Sequence, residues 1–87
     1  MAMSFTRDYD GTVMGLNAML VTITGDASTK YVDLGIGTKI IAAIHGGCVT
    51  DHVMVELNVS DGSTAANGYL FWNTALAAEE HKYIVLY

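Results

Sequence analysis

The stretch from His52 to Ser60 constrains this chain more than any other, because Val53, Val55, Leu57 and Val59 alternate with His52, Met54, Glu56 and Asn58. A two-residue period places the apolar set on one face of an extended strand and the polar set on the other, and no helix satisfies it. A half-buried sheet is therefore part of the fold. A second alternation, Met19, Val21 and Ile23 against Leu20, Thr22 and Thr24, is closed by the turn pair Gly25-Asp26 and a polar loop running to Lys30.

Other segments are apolar without alternation. Tyr69 to Asn73 carries Tyr69, Leu70, Phe71 and Trp72 in succession, and Tyr83 to Tyr87 behaves in the same way, so both faces of each predicted strand require cover. Lys39 to Ile44, set between Gly37 and Gly46-Gly47, is too short for an ordinary helix and reads as a buried strand. Weaker strands are expected at Ser4 to Arg7 and Tyr31 to Leu34. Ser60 to Gly68 has no periodicity and reads as an exposed loop, with Asn67-Gly68 turning into the next strand. Thr74 to Glu80, with Thr74 as N-cap before Ala75, Leu76, Ala77 and Ala78, has helical character sufficient for one or two turns at most.

Six or seven short strands, with turn signals every ~8–12 residues, predict an all-β fold: a small β-sandwich or Greek-key barrel with at most one short helical turn. At 87 residues the chain forms one domain, residues 1–87, of which residues 1–11 can serve as an extended N-terminal arm. A domain this small has a modest interior, yet 52% of its residues are apolar. Part of that apolar surface is expected to face a partner, with Tyr69, Phe71, Trp72, Tyr83, Val85 and Tyr87 as the interface candidates. Proline is absent, so exposed sheet edges must be guarded by charge, by bulges or by pairing with another subunit.

Charge and cysteine usage narrow the function. Nine acidic residues against Arg7, Lys30, Lys39 and Lys82 give a net charge of −5, with no basic stripe to follow a nucleic-acid backbone. No uncharged apolar run reaches the ~20 residues that span a bilayer, and no leader-like segment precedes the first strand, so a soluble protein without membrane contact is expected. Cys48 is the single cysteine, which excludes an intrachain disulfide and fits a small buried hydrophobe.

Each candidate for chemistry has a simpler reading. Cys48 and His52 stand four apart, a spacing found in zinc sites, but completing a ligand set would require Asp51 and His81 without any supporting motif. Ser4, Ser28, Ser60 and Ser63 lack a nucleophile elbow. Asp10, Asp26, Asp33, Asp51 and Asp61 fit turn formers or solvating charges better than paired catalytic carboxylates. Gly35 and Gly37 lack the helix and third glycine of a phosphate loop and suit a bulge or tight turn. Asp61, Ser63 and Asn67 alternate as calcium ligands do, with no downstream acid to finish the set. Asn58-Val59-Ser60 is formally a glycosylation acceptor. The expectation is a non-enzymatic protein with no metal and no cofactor.

The run Tyr31-Val32-Asp33-Leu34-Gly35-Ile36-Gly37, the strand from Thr38 to His45, and the ending Ala78-Glu79-Glu80-His81-Lys82-Tyr83-Ile84-Val85-Leu86-Tyr87 resemble small virion proteins of tailed bacteriophages. There a polar Leu-Gly turn leads into a core strand, and a short acidic turn leads into a terminal apolar strand. The resemblance implies a β-sandwich head protein: a capsid decoration or cement protein, often trimeric, made in the host cytoplasm and placed on the capsid surface. Its partners would be the major capsid protein or other virion subunits. No basic or flexible arm of the usual kind is evident, which leaves the mode of attachment open and admits a head–tail or tail component. From another class, a carbohydrate-binding or host-adhesion module would use Tyr69, Trp72 and the Ser60 to Gly68 loop as a stacking platform.

Overall fold

The computed structural model describes residues 3–47, 55–61 and 64–87. Among them the chain forms seven strands and no helix: β1 (Ser4–Val13), β2 (Leu16–Thr24), β3 (Tyr31–Asp33), β4 (Ala42–Gly47), β5 (Val55–Val59), β6 (Ala65–Trp72) and β7 (Glu80–Leu86). They build two antiparallel sheets, one ordered β1-β2-β7-β4 and the other β3-β6-β5. The architecture is the all-β sandwich that alternation and turn spacing predict.

Alternation explains the core directly. Met19, Val21 and Ile23 of β2, with Tyr83 and Val85 of β7, point inward from the four-stranded sheet. Val32 of β3, with Leu70 and Trp72 of β6, meets them from the three-stranded sheet, and Met3, Leu34, Ile40 and Leu76 fill the ends. Trp72 is 0% exposed, and its indole N–H donates to the Tyr83 hydroxyl across the layers at 3.1 Å. The two largest core side chains thereby satisfy each other's polar atoms and fix the spacing of the sheets.

Several segments depart from the sequence expectation, each for a local reason. β1 is a ten-residue strand, not a four-residue one, and residues 4–11 lie within it instead of forming an arm. It pairs with β2 along its length, turning through Met14 (φ 52) and Gly15 (φ 82), the two positive values that a tight primed hairpin turn requires. A register shift between Arg7 and Tyr9 bulges the strand at Asp8.

The strand expected from Lys39 begins instead at Ala42 and runs through Gly46 to Gly47, and it is not buried throughout, since Ile44 is 53% exposed. Ile40 is held back by Asn58, whose side chain accepts from the Ile40 N–H at 2.8 Å and donates to the Ile40 carbonyl at 2.9 Å. Asn58 (φ 60) also accepts from the Gly68 N–H at 3.2 Å, so its amide is occupied at both ends. Asn67-Gly68 is accordingly not a turn. Gly68 (φ 84) lies inside β6, which begins at Ala65 within the predicted loop. A Cβ at Gly68 would stand 3.2 Å from the Ile36 side chain, so the glycine lets the 34–38 crossover lie close against the sheet. The predicted strand survives as β5 from Val55, but all five of its residues are half-buried and a register shift between Leu57 and Val59 breaks the alternation at Asn58, while His52, Val53 and Met54 lie outside the described residues.

The helical expectation for 74–80 fails because its backbone has better partners elsewhere. The Leu76 carbonyl accepts from the Ala27 N–H at 2.8 Å and the Glu79 carbonyl from the Gly25 N–H at 3.1 Å, while Leu76 itself is fully buried. Core insertion and inter-loop hydrogen bonds override local propensity. Gly25 is essential to this contact, because a Cβ there would collide with the Ala77 carbonyl oxygen.

Candidate functional site

The outer face of the four-stranded sheet is unusually apolar. Strand registers place Tyr9, Leu20, Ile84 and Ile44 directly opposite one another, in one row across all four strands. The next row, two residues along, reads Gly11, Ala18, Leu86 and Ala42, and Val13 with Leu16 begins a third. None of these ten positions carries a charge. Tyr9 is 72% exposed and Ile84 38%. Gly11 and the buried Ala18 of the second row line a shallow depression of about 250 Å³ at the β1–β2 end, together with Tyr9, Asp10, Thr12, Val13, Met19, Leu20 and Ile84.

Polar residues border this face on the opposite side from Val13 and Leu16. The Lys82 ammonium donates to the Thr22 hydroxyl at 2.7 Å, and Thr22 donates to Asp8 at 2.6 Å, crossing β7, β2 and the β1 bulge. The apolar rows therefore have a defined boundary.

The three-stranded sheet presents a different outer face. Tyr31, Phe71 and Glu56 form one row, with Asp33 and Tyr69 beside it. Tyr31 and Tyr69 stack with ring centroids 6.2 Å apart and an interplanar angle of 28°. An open groove of about 420 Å³ is lined here by Ser28, Thr29, Lys30, Tyr31, Ser60, Asp61 and Phe71.

The six sequence-derived interface candidates divide between these environments. Trp72, Tyr83 and Val85 are enclosed in the sandwich and cannot meet a neighbour in this structure, because alternation turns them inward toward the opposing sheet. Tyr69 and Phe71 lie on the outer face of the three-stranded sheet, Phe71 almost covered. Tyr87 packs at the margin of the core, and its hydroxyl accepts from Arg7. Sequence reasoning missed Tyr9, Leu20 and Ile44. The available signal was phase: Leu20 and Ile84 are the large apolar residues that fall on the outward-facing positions of β2 and β7.

The candidates for chemistry resolve into structural roles. Asp26 accepts from the Ser28 and Thr29 N–H groups at 2.9 and 2.6 Å and from the Thr29 hydroxyl at 2.6 Å. These donors, the Thr29 hydroxyl foremost, hold its carboxyl well below the usual range, at about 2. Asp33 caps a turn by accepting from the Gly35 N–H and Asp61 by accepting from the Thr64 N–H, each at 2.9 Å. Gly35 and Gly37 both have positive φ, as turn glycines do. Asp10 pairs with Arg7 at the surface.

His45 stacks on Tyr83 with centroids 4.7 Å apart, and His81 lies 6.5 Å from His45. The buried His81 ring has its Nε2 3.3 Å from the Ala77 carbonyl, and its Nδ1 has no partner among the described residues. Cys48, Asp51, His52 and Ser63 lie outside the described residues. Among those described, no group of three or more His, Cys, Asp or Glu side chains is placed to hold a metal ion.

Comparison of the chain with known proteins found no matching protein family, no matching curated protein and no matching solved structure.

Proposed function

We propose that this protein is a non-enzymatic structural subunit that acts by burying the outer face of its four-stranded sheet against neighbouring subunits. One observation carries the reading: the unbroken row Tyr9, Leu20, Ile84 and Ile44, with an uncharged row of mostly small residues beside it. Monomeric domains rarely leave so continuous an apolar surface to water. Burying such surface contributes about 25 cal/mol per Å² removed from water, set against the entropy lost on association. The resemblance to small phage virion proteins supplies the setting, in which the chain decorates or cements a capsid, or serves a head–tail or tail structure. A subunit that binds only the assembled shell adds its binding free energy to shell stability.

Particles carrying the protein should rupture at a higher temperature than particles stripped of it, and adding it back should restore the difference. The same addition with Leu20→Lys should not. Equal rupture temperatures for stripped and intact particles would exclude the reading.

A second reading rests on the groove of the three-stranded sheet. With Trp72 enclosed in the core, a carbohydrate-binding module would use Tyr31, Tyr69 and the edge of Phe71 as its apolar floor, and Ser28, Lys30 and Ser60 as its polar rim. Titration against a glycan array should then show binding that Tyr31→Ala abolishes without changing the melting temperature. No binding by the wild-type chain would rule this out.

A further inference from the structure

β1 is a ten-residue strand at the end of its sheet, and among the described residues only its edge toward β2 is paired. The ladder fixes which backbone groups face the open edge. Asn17 exchanges both backbone hydrogen bonds with Tyr87, so Asn17, Met19, Val21 and Ile23 bond toward β7, and the alternate residues of β2 bond toward β1. Their partners Ser4, Thr6, Tyr9, Gly11 and Val13 are thereby occupied, whereas Phe5, Arg7, Asp10 and Thr12 direct their N–H and C=O groups away from the sheet. The side chains of these four share one face, because they stand opposite Ile23, Val21, Met19 and Asn17.

The bulge gives this edge a spacing that selects its partner. In a regular strand a single residue separates successive outward-bonding residues, but Asp8 is extra, so both Asp8 and Tyr9 stand between Arg7 and Asp10. A regular strand laid along the edge falls out of step there. A partner keeps step only if it carries an extra residue at the matching place, and an antiparallel copy of β1 does. Positions 5, 7, 10 and 12 are symmetric about the Asp8-Tyr9 peptide bond, so Phe5 comes opposite Thr12 of the copy and Arg7 opposite its Asp10. A bulge with flanking charges ordinarily keeps foreign strands off an edge. Here the same feature admits one partner.

We propose that β1 pairs with β1 of a second copy across a twofold axis beside the Asp8-Tyr9 peptide bond, joining the two four-stranded sheets edge to edge. Each opposed pair then exchanges two backbone hydrogen bonds, and the contact is isologous. Charge fits the same register. Arg7 and Asp10 already pair within the chain, with side chains 40% and 62% exposed. Setting them opposite Asp10 and Arg7 of the copy closes a square in which every neighbour has the opposite sign. Tyr9, 72% exposed, lies next to the axis, where the rings of the two copies shield each other from water. The row from Leu20 to Ile44 stays open, so this contact goes beyond the assembly reading above and does not depend on it.

Sedimentation equilibrium of the full chain between about 10 µM and 1 mM, in about 0.15 M salt to screen the net charge of −5, tests this. The wild type should shift from the monomer mass toward twice that mass. Arg7→Asp opposes acid to acid and Asp10→Arg opposes base to base, so each variant alone should lose about tenfold in affinity. Mixed in equal amounts, the two should regain pairing, because every opposed position again carries the opposite sign. Thr12→Pro removes an outward N–H without touching the ladder to β2 and should also weaken pairing. Leu20→Lys, on the outer face, should leave it unchanged. A wild type that stays monomeric, single variants that pair as tightly as the wild type, or a mixture no tighter than its components would each overturn the edge contact. Loss of pairing in Leu20→Lys would overturn it too, by moving association to the outer face. The particle-rupture experiment decides the assembly reading separately.

Discussion

The two outer faces of the sandwich are built from the same kinds of strand and finish very differently. On the three-stranded sheet, aromatic residues alternate with Asp33 and Glu56, and the 25–30 loop helps to cover Phe71. On the four-stranded sheet, no loop among the described residues is seen to cover the row from Tyr9 to Ile44, and large apolar side chains stand in water. The surplus of apolar residues in the composition is therefore not spread over the surface. Among the described residues, four of the six most exposed large apolar side chains, Tyr9, Val13, Ile44 and Ile84, lie on one face of one sheet, whereas the other outer face carries turns, carboxylates and ring stacking.

That contrast is open to direct attack. The largest effect is expected where neither outer face is involved: Trp72→Ala should cost about 3–5 kcal/mol by opening a core cavity and removing the indole donor to the Tyr83 hydroxyl. A cost under about 1 kcal/mol in chemical denaturation would place Trp72 on a surface and dissolve the distinction drawn here. Next comes the covered face, where Phe71→Ala should cost about 2 kcal/mol. Ile84→Thr on the bare face should stay within about 0.5 kcal/mol in dilute protein. Equal losses for the two would mean that both faces are covered in solution.

The smallest effect concerns acid. The lowered carboxyl of Asp26 stabilises the folded chain at pH above the ordinary carboxylate range, and that contribution disappears as pH falls toward about 2. Melting temperature should therefore fall more steeply between about pH 4 and pH 2 in the wild type than in Asp26→Asn. The loop concerned flanks the groove of the three-stranded sheet, whereas the apolar rows of the other sheet contain no carboxylate. Parallel curves would show that the turn does not depend on the ionised group.

Much of the sandwich was legible in the sequence, because period-two alternation is a direct image of a sheet with one wet face. Residues 19–24 and 55–59 carry it plainly. β1 was legible only at its start, since its side chains are almost all exposed and Tyr9-Asp10-Gly11-Thr12 shows no alternation for burial to impose. The hairpin at Met14-Gly15 lacks the Asn-Gly signature of its turn type. Gly68 and Asn58 look like loop residues, yet both adopt positive φ within or beside strands for the sake of the 34–41 crossover. The 74–80 segment carries helical propensity, but its partners lie fifty residues away in the 25–27 loop.

The candidate site was legible only in part. Excess apolar content pointed to an interface, and β7 was correctly suspected of having two apolar faces. Which face is enclosed depends on the phase of each strand relative to the opposing sheet, and phase is a tertiary property. Hence Tyr83 and Val85 went to the interior, while Ile84 and its cross-strand neighbours remained outside.

Trp72 is the only tryptophan in the chain, and it lies between the sheets in contact with Tyr83. Its fluorescence is therefore a built-in reporter of the interior alone. Emission shifts toward the red when the layers separate and keeps its colour when a partner covers the outer face. In a single cuvette, colour then follows unfolding and anisotropy follows association, so the two events can be timed separately without attaching any label.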